Sequence, residues 1–427
     1  MRAPCGSRGA ARAADPGVPA RGRGRAIVCR AVRYALEKGH GHMAEAEFIP
    51  FALPDIGEDE VAAAANAIRS GWLTTGKEAA AFEREFGAAL QPGLHTVAVN
   101  SATAGLHLAL EAAGIGPGDE VIVPTWTFTA TGEVVRYLGA DPVPVDVHPD
   151  TLNIDLGAAA AAVTSRTKAM IPVHFAGLPV PAGALADFAR THGLHVIEDA
   201  AHAFPAYSEG QLVGTGVSAA TVFSFYATKT MTTGEGGMVV TSDDALAARA
   251  RTMRLHGISR DVFDRYTSKI PSWQYEVVAP GFKYNLTDPA AAIGRVQLRR
   301  AESMRDRRAQ IAEMYFDGLA DLPVALPQRA LPGDQHAWHL YVLRIRPAAP
   351  LGRDRFIERM AEEGVGCSVH FIPLHLHPYW RDTYGLRPED FPVATEQFAG
   401  AVSLPIFSSM TDAQVTRVIE AAHRVLA

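Results

Sequence analysis

Cysteine is nearly missing from this chain: Cys5, Cys29 and Cys367 are the only three among 427 residues. They have no metal-ligand spacing and cannot build a disulfide framework, so a reducing cytoplasm fits the sequence. An excess of one charge is missing too. Forty Lys and Arg against 46 Asp and Glu leave a formal charge of −6. Such a chain has no general attraction for nucleic acid or anionic lipid, and neither is favoured as a partner. No apolar run approaches the roughly 20 residues that span a bilayer. What is present, 48% hydrophobic and 20% charged residues, is ordinary for a globular protein with one large domain and a smaller one.

The first 42 residues stand apart. "MRAPCGSRGAARAADPGVPARGRGRAIVCR" is rich in Arg, Ala, Gly and Pro, shows little periodicity and cannot bury a core. An Arg-rich, acid-poor start suits a transit peptide or a basic arm, and it lacks the apolar centre of a secretory signal. The expectation is a disordered extension, or a stretch upstream of a natural start at Met43. Residues 43–290 then form a large domain, and 291–427 a long connecting helix and a smaller α/β domain.

From Phe48 strands and helices alternate. "HTVAVN" (95–100), "EVIVP" (120–124), "DPVPVDV" (141–147), "KAMIPVHF" (168–175), "LHVIED" (194–199), "TVFSF" (221–225) and "GMVVTS" (237–242) read as strands. Helical patterns fall between them, at 103–114, near 129–138 and at 182–192. Apolar strands separated by amphipathic helices indicate an α/β fold with a mostly parallel sheet covered on both faces. Near residue 288 the pattern changes. Asp288 can cap a helix with Pro289 at its first position, running to about Leu319. "HLYVLRI" (339–345), a helix from about Arg353, "VGCSVHF" (365–371) and a helix after Thr411 follow.

In such sheets ligand groups gather at the carboxyl ends of strands. "FSFYATKTMTTGEGG" (223–237) puts Lys229 just past a buried strand, among small and hydroxyl residues rather than charges. A lysine there is a phosphate clamp or a reactive amine. After Asn100, "SATAG" opens a helix, which suits either a phosphate at its N-terminus or an ordinary Ser cap. Trp126 and Phe128 are core residues, or one of them lies on a planar ring. "LHVIED" ends in Asp199, followed by His202, and Asp199 either pairs with a ring N–H or caps the next turn. Together these supply an anion cradle, an aromatic lid, a carboxylate for a ring nitrogen and an imine-forming amine. That set fits pyridoxal 5′-phosphate (PLP).

At these residues the chain resembles the DegT/StrS family of PLP-dependent nucleotide-sugar aminotransferases. The likeness runs from about Phe48 to the C-terminus through "GWLTTG" (71–76), "SATAGLHLAL" (101–110), "GDEVIVPTWTF" (118–128), "PVHFAG" (172–177), "EDAAHAF" (198–204), "FSFYATK" (223–229), "GEGGMVV" (234–240), "RLHGISRD" (254–261) and "GFKYNLTDPAAAIG" (281–294). It implies a fold-type I transferase, with a seven-stranded-type sheet, working as a cytoplasmic homodimer. Lys229 is then the catalytic, imine-forming lysine and proton carrier, and Asp199 pairs with the ring nitrogen. His202 lies near the ring hydroxyl and Phe128 stacks on the ring. Ala102, Thr103 and Ser224 hold the phosphate. The family's cross-subunit "GYNYR"-like segment is "GFKYN" here, so Lys283 takes the usual Asn place and Asn285 the usual Arg place. The contact across the dimer is left open between the two.

The implied reaction transfers the amino group of L-glutamate to a UDP- or dTDP-linked 4-ketosugar, for cell-surface polysaccharide, lipopolysaccharide or glycoside synthesis. "SATAG", "PVHFAG", "EDAAHA" and "KYNLTD" most resemble the 4-amino-arabinose type. A related dehydratase has His in place of the lysine, so Lys229 counts against it. A non-catalytic regulator of this fold would not need both Lys229 and Asp199. His370, His375 and His377 in "HFIPLHLHPYW" lack a Cys or acid to complete a metal site, and Pro373 and Pro378 break the register. Deleting residues 1–42 is expected to leave the melting temperature and turnover unchanged, because few large apolar residues there can pack. Differential scanning fluorimetry of the truncated protein beside the full chain checks this.

Overall fold

The computed structural model describes residues 48–216, 218–258 and 275–426. The expected extension over 1–42 and the end of "RLHGISRD" lie outside the described residues. The central sheet has seven strands: β1 (His95–Val99), β2 (Glu120–Pro124), β3 (Asp141–Val145), β4 (Thr167–Met170), β5 (His195–Asp199), β8 (Ala220–Ser224) and β9 (Gly237–Thr241). Their spatial order is β1-β9-β8-β5-β4-β2-β3. All neighbours are parallel except at β9, which runs antiparallel to both β1 and β8. Strands β2 and β9 are buried at every position, as expected where helices cover both faces. A two-stranded hairpin of β6 (Tyr207–Ser208) and β7 (Gln211–Leu212) stands outside this sheet.

The expected strand over 168–175 ends early, at Met170. Pro172 has no N–H for a ladder bond. A single bridge from Val173 to Asp199 and a 3-10 turn over Phe175–Gly177 replace the rest. Helices α1 (Glu58–Arg69), α2 (Lys77–Leu90), α3 (Ala102–Ala112), α4 (Ala130–Tyr137), α5 (Leu156–Ala161), α6 (Ala182–His192) and α7 (Asp244–Met253) complete this part of the chain. Helix α3 is buried from Ala104 to Leu110 and lies directly on the sheet. A Cβ at Gly105 would come within 2.6 Å of Val222 on β8.

The long helix α8 (Asp288–Gly318) spans 31 residues with Pro289 in its first turn. Asp288 does not cap it. Thr287 holds the N-cap position, and the Asp288 carboxylate turns to another helix start. Oδ1 accepts from Gly76 N at 2.7 Å and Ala79 N at 3.1 Å, and Oδ2 from Glu78 N at 3.2 Å. It thus caps α2 from some two hundred residues away, at an N-terminus where Gly76 has no capping side chain of its own. A Cβ on Gly76 would stand 2.8 Å from the Asp288 carboxylate, so "GWLTTG" ends in glycine for a packing reason.

Beyond α8, a three-stranded antiparallel sheet of β10 (Val324–Ala325), β11 (Tyr341–Ile345) and β12 (Ala401–Leu404) packs with α9 (Arg353–Glu362) and α12 (Asp412–Leu426). Its core includes Ile311, Tyr315, Tyr341, Phe356, Val415 and Val418. Two short helices, α10 (Pro378–Tyr384) and α11 (Pro392–Gly400), precede β12. "VGCSVHF" is not a strand. Val365 and Ser368 make isolated bridges to Ile49 and Ser403, and the segment then turns into the site.

Replacing Asp288 by Ala leaves three helix-terminal N–H groups without their acceptor, and the expected loss is about 1–3 kcal/mol. Asp288→Asn keeps one oxygen and should lose less. Thermal melting of the two variants beside the parent protein measures both.

Candidate active site

Five sheet segments reach one edge. Val99, Pro124, Asp199 and Ser224 end their strands there, and antiparallel β9 begins there with Gly237. The register pairs Gly237 with both Val99 and Ser224. A Cβ at Gly237 would lie 2.9 Å from Ala102 N and 2.8 Å from Ser101 C. Glycine is therefore what lets β9 approach the start of α3. Ser101 does cap that helix, accepting from Ala104 N at 3.1 Å. The N–H groups of Ala102 and Thr103 belong to the first turn and have no carbonyl one turn back. The Ser cap and an open anion site therefore coexist at this helix start.

Lys229 lies on the turn after β8, its N–H donating to Tyr226 O at 3.0 Å. Burial lowers its amine to about 8; Asp199 opposes this shift and Arg308 adds to it. Asp199 is buried, and burial pushes its carboxyl up. Its Oδ2 accepts from the Thr131 hydroxyl at 2.9 Å and its Oδ1 from Ala201 N at 3.1 Å. Because Thr131 gives its proton to Asp199, Thr127 donates to Thr131, at 2.7 Å. Both threonines come from "PTWTFTAT", where sequence reading had singled out only the aromatics. Oδ1 serves the local turn while Oδ2 reaches across to α4, so the two readings of Asp199 divide between its oxygens.

His202, Ser224 and Lys229 line one cavity together with Ala201, Thr230 and His339. His339 was not singled out from the sequence, where "HLYVLRI" reads simply as a strand. Its Nε2 stands 3.4 Å from Lys229 Nζ, and its ring lies 4.4 Å from that of His202. Burial and the nearby Lys229 keep both imidazoles well below their usual range. Each also has a buried Nδ1 with no partner among the described residues. The tryptophan–phenylalanine pair separates. Trp126 is fully buried core, whereas Phe128 is 54% exposed and rests against Phe371 with ring centroids 5.2 Å apart.

The segment carrying two further expected residues runs beside the end of β1, where Asn285 bridges Val99. Asn285 is buried, donating to Thr75 Oγ1 at 2.7 Å, while the Lys283 side chain is exposed. The three histidines of 370–377 also diverge. His375 sits between the hydroxyls of Thr125 and Thr395, at 2.8 and 2.9 Å. His377 Nε2 is 3.1 Å from Ile372 O. His370 Nδ1 is 3.0 Å from Ser403 Oγ, and His370 lies close enough to Lys229 to feel its charge.

These residues fit PLP. The open N–H groups beside Gly237 suit a phosphate. The buried Asp199, held on two sides, suits a cationic ring nitrogen, and the depressed Lys229 amine suits attack on an aldehyde. The unpartnered nitrogens of His202 and His339 mark a polar site within the protein.

Comparison with known proteins agrees. The family model for the DegT/DnrJ/EryC1/StrS aminotransferase family matches residues 54–423. The Bacillus subtilis protein SpsC, a spore coat polysaccharide biosynthesis protein, is 44% identical over 381 residues, covering 89% of this chain and 97% of SpsC. Among solved structures, Streptococcus pneumoniae Spr1654 in its PMP-form superposes with a TM-score of 0.82 at 33% identity, covering 88% of this chain and 98% of that one. The same protein in its PLP-form gives 0.81. Helicobacter pylori PseC, an aminotransferase involved in pseudoaminic acid biosynthesis, gives 0.80 at 25% identity, over 89% of this chain and 99% of PseC. A match that spans nearly the whole described chain and meets its cofactor-binding edge leaves one assignment: the chain belongs to the DegT/DnrJ/EryC1/StrS aminotransferase family and is a PLP-dependent sugar aminotransferase.

Proposed function

We propose that this enzyme transfers the amino group of L-glutamate to a nucleotide-linked 4-ketosugar, in a route that builds surface polysaccharide or a related glycoside. The convergence of a depressed amine, a buried carboxylate and an open helix start at one sheet edge carries the chemistry. The polysaccharide role of SpsC and the part of PseC in pseudoaminic acid biosynthesis support the substrate class.

PLP supplies an aldehyde that takes up amines and a ring that withdraws electrons from the adjoining carbon. In this reading the N–H groups of Ala102 and Thr103 and the Ser224 hydroxyl hold its phosphate. Asp199 accepts from the ring nitrogen, with Thr131 and Ala201 fixing the carboxylate. Phe128 would stack on the ring, and His202 would stand near the ring hydroxyl. Lys229 moves a proton at Nζ. With its amine at about 8, roughly a tenth is neutral at pH 7, against fewer than about one in a thousand for an ordinary lysine. That makes Lys229 a workable base near neutrality.

The test is a panel of UDP- and dTDP-ketosugars with glutamate as donor. Glutamate alone should bleach the visible absorbance of the bound cofactor and release 2-oxoglutarate, and the correct ketosugar should restore the absorbance. Lys229→Ala should keep its melting temperature within a few degrees but lose the absorbance and turnover. An active Lys229→Ala protein would sink the assignment.

A homodimer with shared sites is part of the same reading. Asn285 is already engaged by Thr75 of its own chain, whereas the exposed Lys283 is free to reach a partner's cofactor phosphate. Such a contact is worth about 1–3 kcal/mol. Lys229→Ala protein refolded with Lys283→Ala/Asn285→Ala protein should regain activity, because one site of the mixed dimer then has an intact lysine and an intact partner loop. Activity that stays at the level of the parents would show that each site is built from one chain.

A further inference from the structure

His339 reaches the site from the turn before β11, and its backbone is held from several directions. Arg308, buried on α8, donates to the carbonyls of Trp338 at 3.3 Å, His339 at 3.4 Å and Ile406 at 2.8 Å. Leu340 N donates to Ala176 O at 3.1 Å. Close packing adds to this, since a Cβ at Gly177 would lie 3.2 Å from His339 N. The His202 ring covers one side of the His339 ring at 4.4 Å. From this anchored backbone the ring presents Nε2 to the Lys229 amine at 3.4 Å, with no other hydrogen-bonding group at that amine among the described residues.

The direction of that contact follows from the two basicities. Lys229 lies at about 8, while burial and Lys229 itself hold His339 well below its ordinary value. The proton therefore belongs to the amine, and Nε2 accepts. A neutral imidazole accepting at Nε2 carries its hydrogen on Nδ1. His339 Nδ1 is buried with no partner among the described residues, so nothing there competes for that hydrogen.

We propose that His339 is a positioning residue for Lys229, its Nε2 accepting from Nζ whenever that amine is not bonded to the cofactor and holding it in one orientation between proton transfers. The proposal rests on Lys229 being the reactive amine. The titratable and charged groups that face the amine are Asp199 from β5, Arg308 from α8, and His202, His339 and His370 from loops.

The test uses cofactor-free protein, so its result does not depend on the transamination reading. The rate of Lys229 acetylation by acetic anhydride is followed against pH by peptide mass spectrometry. The midpoint should lie near 8 in the parent protein. In His339→Leu it should fall by about one unit, because the charged amine loses its acceptor. His339→Gln, whose side-chain oxygen can take the place of Nε2, should return most of the difference. In the loaded enzyme kcat of the Leu variant should drop at least about tenfold, with KM for the ketosugar little changed. An unchanged midpoint in the Leu variant, or an equal fall in both variants, overturns the proposal. If the Leu variant does not fold, ¹⁵N-histidine NMR of the parent protein decides the matter. Hydrogen on Nδ1 of His339 supports the proposal, and hydrogen on Nε2 overturns it.

Discussion

Keeping an amine and a carboxylate out of water at one sheet edge is the constraint on which the rest of this site depends. Burial disfavours the charged form of each, lowering Lys229 and raising Asp199. Their mutual attraction opposes both shifts. For the amine burial is the largest influence, and a nearby cation adds to it: Arg308 is itself buried, its guanidinium lowered by burial to about 10. It has no carboxylate in direct contact among the described residues; its Nη1 donates to three carbonyls, and its Nε is buried without a partner among those residues. A buried guanidinium with no carboxylate against it keeps its positive field, and that field falls on Lys229.

The backbone makes the approach possible. Glycine at 237 allows β9 to pass against the first turn of α3, and glycine at 105 allows α3 to sit on β8. At Gly236 an added Cβ would meet the Thr233 hydroxyl at 2.2 Å, so this glycine serves close packing, whereas Gly234 has nothing within 4 Å and is required by its φ of +82°. The Asp288 carboxylate does similar work at a distance, joining the start of the long helix to the start of α2.

The parts legible in the sequence were those whose chemistry is local. Lys229 and Asp199 stand at the ends of apolar runs, where a charge is conspicuous, and Ser101 precedes a helical pattern. What stayed hidden depends on long-range packing. His339 meets Lys229 across 110 residues, and nothing beside it in "HLYVLRI" distinguishes it. Arg308 sits in "MRDRRAQ", which reads as a solvated helix face, yet it is buried while Arg305 and Arg307 pair with acids. The aromatic pair could not be resolved because β2 stops at Pro124. Beyond the strand the alternation of sides no longer applies, and Trp126 and Phe128 part company.

Adjacent carboxylates on β5 show how the same chemical group is given two fates. Successive strand residues face opposite sides of the sheet, so Glu198 and Asp199 meet different surroundings. The His174 ring accepts from Val180 N at its Nδ1, 2.9 Å away, which leaves hydrogen only on Nε2. That nitrogen donates to Glu198 at 2.8 Å, and Thr221 adds a second donor at 3.0 Å. Burial would raise the Glu198 carboxyl, but these donors hold it below the ordinary range. Glu198 is thereby committed to joining β5 to the segment after β4. Asp199 receives one hydroxyl and one backbone N–H, too little to offset its burial. The remaining demand for positive charge is one that a protonated ring nitrogen would meet.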